Sequence, residues 1–470
     1  MNAPVLIVGG GIAGLAVAYE LHRESIPFVL LEERARPGGV ILSEEVDGFV
    51  LDAGPDALLI QKPDGVKLCQ ELGLGDRLVP TRLPRVAYIQ RRGRLYPLAA
   101  SSVLGIPTQW GPFIRTGLFS WTAKLRMGAE LILPARAGNG DESIGAFIRR
   151  RFGQEAVTYL AEPLLAGIHA GDVDRLSIRA LFPRLVEAER THGSLLRAFR
   201  RPRPAPTNSH HGETLSADGA FRSLPGGLSE LTRAVMNALP TESIKLQTRA
   251  VRLSHEDGRY RVTTETGDVI DAASVVLATP AFATSRIVRA FDPRLADLCD
   301  TIRYASVATV LLAFKRSAVT HELNGSGFVV PRSEGSGILA GSWLSSKWPH
   351  RAPADRVLMR TFIGGGRDPH ALDVSDRDLV DRSLAALTPL VGITGDPLFT
   401  RVYRWDRSNA QHEVGHLERV SAIERALEAH PGLFVTGSAY RGVGIPDCVR
   451  DGRATARQAS IWLSSVREAG

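Results

Sequence analysis

Cysteine is scarce in this chain. Three residues in 470, Cys69, Cys299 and Cys448, lie far apart and form no CxxC pair. So few, so scattered, they exclude a disulfide framework and suit a reducing compartment. Each is expected to be a small buried hydrophobe. Long apolar runs are lacking too. None reaches the ~20 residues a membrane-spanning helix needs. Met1-Asn2-Ala3-Pro4 brings no basic leader ahead of the first apolar run. The expectation is a cytoplasmic protein, or one attached to a membrane surface only. Aromatics make up 6 %. No stacking platform or basic recognition helix stands out, so nucleic acid is not an expected partner. The formal net charge of +7 is a mild excess. It suits an anionic small molecule or an anionic lipid surface.

What is present is clearest at the start. Val5-Leu6-Ile7-Val8 is an apolar run, followed by glycines, a helical pattern from Ile12 to Leu21, and a second run, Phe28-Val29-Leu30-Leu31. This order is that of a doubly wound α/β, Rossmann-like unit. Residues 91–204 read as helical. Trp110, Phe113, Ile114, Leu118, Phe119, Trp121, Leu125 and Met127 mix there with Arg115, Lys124 and Arg126. Such a mixture fits a packed helical subdomain, a membrane-contacting face, or both. Residues 200–211 form a proline-rich basic loop that ends in His210-His211. A β-meander is expected over Leu246–Leu253, Tyr260–Glu265 and Val269–Asp271, leading to the apolar run Val275–Ala278. Leu433-Phe434-Val435 reads as another buried strand, before a glycine turn and a last helix from about Asp447. The expected organisation is a cofactor domain in three pieces (residues 1–90, 205–280 and 430–470), the helical subdomain 91–204, and a mixed α/β substrate domain 281–429.

Gly9-Gly10-Gly11-Ile12-Ala13-Gly14 satisfies GxGxxG between a strand and a helix, the context that gives the motif meaning. Gly9 would make the tight turn, Gly11 would admit a pyrophosphate, and Gly14 would let the helix lie on the sheet. The helix N-terminus would then face the phosphates. Glu32, 18 positions after Gly14, is placed to accept from ribose hydroxyls. Arg36-Pro37-Gly38-Gly39 and Asp52-Ala53-Gly54-Pro55-Asp56 offer two further close backbone approaches. Together they point to FAD rather than NAD. Near the other end, Gly437 and Val443-Gly444-Ile445 lead into a helix start, a second dipole site suited to negative charge on a reduced flavin. His412-Glu413-Val414-Gly415-His416 matches HExxH, but Gly415 interrupts the helix that zinc ligation would need. No metal is expected.

The chain resembles the protoporphyrinogen oxidase family, including its bacterial coproporphyrinogen-oxidising branch. The likeness rests on the GGGIAGLAVAYEL start, Ala166-Gly167-Ile168-His169-Ala170-Gly171-Asp172, Leu224-Pro225-Gly226-Gly227-Leu228, Lys347-Trp348-Pro349-His350, Gly415-His416-Leu417-Glu418-Arg419 and Gly442-Val443-Gly444-Ile445-Pro446-Asp447-Cys448. It spans nearly the whole length. The resemblance implies an FAD oxidase that takes hydride from a reduced tetrapyrrole. Three two-electron rounds would convert protoporphyrinogen IX to protoporphyrin IX in heme biosynthesis, with oxygen reoxidising the flavin and hydrogen peroxide released. Coproporphyrinogen III is the alternative substrate. A ferrochelatase-type partner and an anionic membrane surface are implied as candidates.

The same resemblance implies that Arg85 pairs with a substrate propionate, that the Gly167 carbonyl faces the ring nitrogens, and that Val329, Ser342 and Phe362 flank the ring. It adds Val251 and Trp405 to the cofactor residues. Ser342 departs from the branched residue usual there, Pro37 from a leucine, and Ala410-Gln411-His412 from Pro-Gln-Tyr. No general base stands out. The competing readings are a flavin amine oxidase, which needs two aromatics caging an amine where only Tyr440 stands, and a non-catalytic escort protein on the same fold.

Overall fold

A computed structural model of the chain describes residues 3–98, 102–103, 106–107, 110–138, 140–200 and 219–469. His210 and His211, and most of the proline-rich loop, lie outside the described residues.

The apolar run Val5–Val8 is a strand buried at all four positions. It is flanked in parallel by Phe28–Leu31 and Ser274–Leu277. Ile244–Lys245 and Leu433–Val435 complete a five-stranded sheet, all parallel. Strands covered on both faces read as unbroken apolar runs, which is why the four longer ones stand out in the sequence while the two-residue edge strand Ile244–Lys245 does not. Each fully buried Val or Leu contributes roughly 1.5–3 kcal/mol.

The helix Ile12–Arg23 follows the first strand, and the helix Ile445–Ala469 follows the last. The two pack directly together. A Cβ on Gly452 would meet the Ala13 carbonyl oxygen at 2.5 Å and the Ala16 methyl at 3.1 Å. Small residues thus bring the two ends of the chain side by side. The last helix begins at Ile445 rather than at Asp447. Asp447 stands in its first turn, bonded to Lys62 at 2.5 Å and to Arg450 at 3.0 Å.

The meander comprises Ala250–Glu256, Arg259–Thr264 and Val269–Ala272, joined antiparallel. The expected first run, Leu246–Leu253, starts too early, because Gln247 takes a positive φ of 51° and breaks the strand there.

A seven-stranded sheet forms the second layer. Its order is Phe399–Ala410, Tyr304–Lys315, Arg356–Gly364, Ala340–Trp343, Gly327–Val329, Ala87–Arg91 and Arg94–Pro97. The boundary expected at residue 90 falls inside the strand Ala87–Arg91, which pairs in parallel with Gly327–Val329. The helix Asp376–Val391, opened by a Ser375–Asp378 capping box, packs on this sheet through Leu379 and Leu387.

Helices from Trp110 to Arg200 enclose a third core around Phe113, Phe119, Phe147, Phe152 and Leu165. Arg151 and Glu130 form a fully buried ion pair within it. Glu130 also accepts from Leu195 N at 2.8 Å, and Arg151 donates to the Pro134 carbonyl at 3.0 Å, so neither charge is left bare. Ile114, Trp121, Leu125 and Ile132 point outward from this subdomain; Trp121 is 67 % and Leu125 75 % exposed. No helix among the described residues is long and apolar enough to cross a membrane.

Candidate active site

Where the first and last helices begin, the parallel sheet opens onto a cleft of about 3520 Å³ that continues along the seven-stranded sheet and the helical subdomain. Gly9, Gly11, Glu32, Gly38, Gly39, Gly54, Val251, Trp405, Gly437, Val443, Gly444 and Ile445 line it, and so do Gly167 and Phe362. Most of the residues singled out in the sequence therefore meet around one space.

The glycine loop has a distinct requirement at each position. Gly9 has φ of +107°, a conformation that L side chains rarely adopt. A Cβ on Gly14 would overlap the Gly9 carbonyl, so the helix can lie against the loop only with glycine there. A Cβ on Gly11 meets nothing within 4 Å. Its space is part of the cleft, directly before the free N–H groups of the helix Ile12–Arg23, which is where an anionic pyrophosphate is favoured. Glu32 is buried; its Oε2 accepts from Gly10 N at 2.7 Å and its Oε1 from Arg34 N at 2.9 Å. Each carboxylate oxygen keeps lone-pair capacity for a sugar hydroxyl. These residues fit a dinucleotide.

Arg36 turns its guanidinium onto the carbonyls of Gly39 at 2.9 Å and Ile41 at 3.1 Å. It braces the Gly38-Gly39 turn and does not line the cleft. A Cβ on Gly54 would overlap the Val40 carbonyl, so the two loops touch backbone to backbone. Trp405 Nε1 donates to the Ala53 carbonyl at 3.0 Å, and Thr309 Oγ1 to the same oxygen at 2.7 Å. The second sheet thereby grips the 52–56 loop.

The sequence left that grip largely unread. Asp52 and Arg351 pair at 2.9 Å with both side chains fully buried. Asp56 pairs with Lys347 at 2.7 Å and Arg360 at 3.0 Å, and accepts from Trp348 Nε1 at 2.7 Å. Burial pushes the Asp56 carboxyl up, but Lys347 and Arg360 outweigh it and hold it below the ordinary carboxylate range. Arg360 also donates to the carbonyls of Asp52 and Gly54 and lies over the Phe362 ring at 4.7 Å. The Lys347-Trp348-Pro349-His350 motif thus locks a loop some 290 residues upstream. The signal available was two acidic residues four apart in a glycine turn.

On the other side, Asp451 accepts from Gly437 N at 3.1 Å and Thr436 Oγ1 at 2.7 Å. Arg441 completes the group at 3.0 Å from Asp451. His412 Nε2 lies 2.9 Å from the Ser438 carbonyl, and His416 Nε2 lies 2.9 Å from the Tyr440 carbonyl. His416 is the first residue of the helix His416–Leu427, and His412 lies outside it. No group of three or more metal-ligating side chains occurs among the described residues. Tyr440 is buried in the core beneath the sheet and does not face the cleft.

The segment Ala166–Ala170 ends the helix Glu162–His169 on the opposite wall. Gln411 Nε2 donates to the His169 carbonyl at 3.0 Å, and Ser177 N to the His412 carbonyl at 2.8 Å. Gly167 and Ile168 are exposed to the cleft. A Cβ on Gly167 would touch Val329 Cγ1 at 3.4 Å, so Val329 backs that wall from behind. Ser342 faces away, its Oγ donating to the Ser326 carbonyl at 3.2 Å. Arg85 sits off the cleft wall, its Nε donating to the Thr81 carbonyl at 3.0 Å and to Thr81 Oγ1 at 3.1 Å.

A parallel sheet with a glycine loop, a carboxylate lining the cleft after the second strand and a carboxyl-terminal turn around one deep space is the arrangement of a dinucleotide-dependent oxidoreductase. The family described as flavin containing amine oxidoreductase matches residues 12–460, and the chain belongs to it; its cofactor is FAD. Among curated relatives, coproporphyrinogen III oxidase of Bacillus subtilis (strain 168) is 36 % identical over 98 % of this chain and 98 % of its own. The chloroplastic protoporphyrinogen oxidase of Nicotiana tabacum is 30 % identical over 98 % of this chain and 86 % of its own. A crystal structure of a candidate protoporphyrinogen oxidase from Exiguobacterium sp. 255-15 superposes with a TM-score of 0.86 at 33 % identity, covering 99 % of each chain. Cyclohexylamine oxidase of Brevibacterium oxydans IH-35A shares the fold at a TM-score of 0.72 and 15 % identity, over 99 % of this chain and 100 % of its own.

Proposed function

We propose that this protein oxidises coproporphyrinogen III to coproporphyrin III, using FAD and molecular oxygen and releasing hydrogen peroxide. The observation that carries the reading is the composition of the cleft beyond the flavin cradle. Ile168, Phe182 and Phe362 supply apolar surface for a macrocycle, while Arg184, Arg286 and Lys62, the last of these paired with Asp447, add cations to the lining of the same cleft. A tetrapyrrole with four propionates suits that combination better than one with two. The relatives named for coproporphyrinogen III at 36 %, 32 % and 34 % identity support it. Protoporphyrinogen IX is the second reading, supported by the plant relative at 30 %. The amine reading loses its one caging aromatic, because Tyr440 is buried away from the cleft.

In this reading Gly11 and the N-terminus of the first helix hold the pyrophosphate, Glu32 the ribose, Val251 the adenine edge, and Gly39, Gly54, Trp405 and Gly437–Ile445 the remainder. Bound FAD supplies a two-electron acceptor that oxygen can restore. The protein's own part is placement. The Arg360–Asp56–Lys347 network fixes the flavin loop against the Phe362 wall, so cofactor and substrate keep one relative position. The first turn of the helix at Ile445 offers N–H groups that favour developing negative charge. The apolar walls exclude water. The exposed patch of Ile114, Trp121, Leu125 and Ile132, with Lys124 over the Trp121 ring at 4.5 Å, is the surface we assign to an anionic membrane.

An aerobic fluorescence assay with both reduced tetrapyrroles tests the substrate. Faster formation of coproporphyrin III is expected. Preference for protoporphyrinogen IX would replace the first reading by the second, and inactivity on both would end the porphyrinogen reading.

A further inference from the structure

The oxidation of a porphyrinogen needs a proton acceptor, and the cleft offers one imidazole in the right condition to be it. His169 is the last residue of the helix Glu162–His169, two residues beyond Gly167, and lines the same cleft. Its helix stops there because Ala170 turns into the left-handed region at φ of 51°. Gln411 holds the His169 carbonyl at 3.0 Å, so the backbone beneath the ring is fixed. The ring meets Phe182 edge-on with centroids 6.4 Å apart. Its exposure is 9 %. No described residue hydrogen-bonds to either ring nitrogen, and neither nitrogen is sealed off from solvent. The ring is packed on its sides yet presents its nitrogens to whatever occupies the cleft.

Resting on the porphyrinogen reading, we propose that His169 takes the pyrrole N–H proton released in each two-electron oxidation. The round balances as follows in atoms and electrons. One carbon-bound hydrogen leaves the macrocycle with its electron pair for the flavin, and one N–H leaves as a proton to an imidazole nitrogen of His169. Oxygen finally receives both electrons and both hydrogens and departs as hydrogen peroxide. Loss of the electron pair leaves the macrocycle positively charged and its N–H strongly acidic, so a weak neutral base suffices.

The charged and titratable groups facing His169 are Lys62 in the loop after Leu58–Leu59, Asp447 in the first turn of the last helix, and His412 just past the strand Phe399–Ala410. Burial, with Lys62 adding to it and Asp447 opposing, brings the imidazole down to about 4. It is therefore neutral and able to accept at neutral pH. Asp447 lies where it can favour the transient imidazolium.

The test uses flavin-loaded protein with His169→Gln and His169→Ala. Under anaerobic single turnover with coproporphyrinogen III, each variant is expected to reduce its flavin about 10²-fold more slowly, with flavin content unchanged. Added imidazole should restore part of the rate to His169→Ala, in proportion to its neutral fraction; a purely structural role would not respond to it. Independently of turnover, the ¹⁵N-histidine resonance that disappears in His169→Gln should report a neutral ring at pH 7 and shift when coproporphyrin III is added. If the parent protein turns over and both variants match its rate and pH profile, or the His169 resonance stays put with porphyrin bound, the assignment to His169 is wrong. If the parent oxidises neither porphyrinogen, the substrate reading fails first and this inference with it.

Discussion

The imidazoles of His412 and His416 stack face to face, with centroids 3.8 Å apart and planes 11° from parallel. Each points Nε2 at a main-chain carbonyl of the segment Ser438–Tyr440, so each must carry its hydrogen there. Both rings are buried. Two like charges cannot share that stack, and the pair is neutral.

Burial first, and the neighbouring His416 second, lower His412 from 6.5 to about 3. The sign follows directly. Below 6.5 the unfolded chain binds a proton that the folded chain refuses, so this contribution to stability is complete above 6.5 and is lost as pH falls toward 3. The expected slope for His412 alone is about 1.4 kcal/mol per pH unit in that window. His412→Phe keeps a stacked ring and should flatten the dependence between pH 6 and 4, at a cost of about 1 kcal/mol at pH 7 for the lost bond to Ser438. Urea midpoints at several pH values measure both. An unchanged slope would show that the stack does not titrate as described.

Gly11 and Gly14 belong to one motif yet should fail differently. A Cβ at position 11 meets no protein atom within 4 Å, and the backbone there, at φ of −66°, accepts a side chain. Gly11→Val is therefore expected to fold with a melting temperature close to that of the flavin-free parent, and to purify colourless. Gly14→Val forces the first helix off the Gly9 carbonyl. Overpacking of this kind costs about 1–3 kcal/mol or more, so soluble yield and flavin-free stability should both drop. Absorbance and a melting curve on each variant separate the two cases. A yellow Gly11→Val would remove the pyrophosphate from that loop.

Four strands of the parallel sheet were legible because they are buried on both faces and read as apolar runs, whereas the fifth, Ile244–Lys245, is two residues long, carries an exposed lysine and was not. The glycine loop was legible because each glycine answers a backbone requirement within a few residues. The second sheet was not. Its strand Phe399–Ala410 is partly exposed at most positions and carries Arg401, Arg404 and Arg407, a pattern that resembles no isolated strand. Its pairing with Tyr304–Lys315 is settled only by contacts about a hundred residues apart. The Asp52–Arg351 and Asp56–Lys347 pairs were hidden for the same reason: nothing local marks a partner some 300 residues away.

That distance makes Asp52 and Arg351 a sharp test of the tertiary grip. Removing one partner strands the other as an uncompensated buried charge, at about 3–5 kcal/mol. Arg351→Met should lose that much, because the Asp52 carboxylate keeps only Ser43 Oγ at 2.6 Å and Leu228 N at 3.2 Å. Combining it with Asp52→Asn should recover part of the loss. Chemical denaturation of the single and double variants gives the coupling, and additivity of the two losses would mean that the pair does not act as a unit.

Asp451 tests the carboxyl-terminal half of the cradle without touching the cleft itself. Its Oδ2 holds Thr436 Oγ1 and the N–H of Gly437, and its Oδ1 holds Arg441. Gly437 has φ of +116°, which glycine adopts without strain, and the N–H bond to Asp451 selects that turn among those open to it. Asp451→Ala leaves a buried donor unsatisfied, at about 1–3 kcal/mol. Because Gly437 lines the cleft, the loss should appear chiefly as weaker flavin retention, on the order of 10-fold or more in dissociation constant, since 1.4 kcal/mol corresponds to a factor of ten. Asp451→Asn, which keeps an acceptor, should restore most of it. Titrating flavin back into the flavin-free variants reads this directly. Equal affinities for Asp451→Ala and the parent would dissociate the turn from cofactor binding.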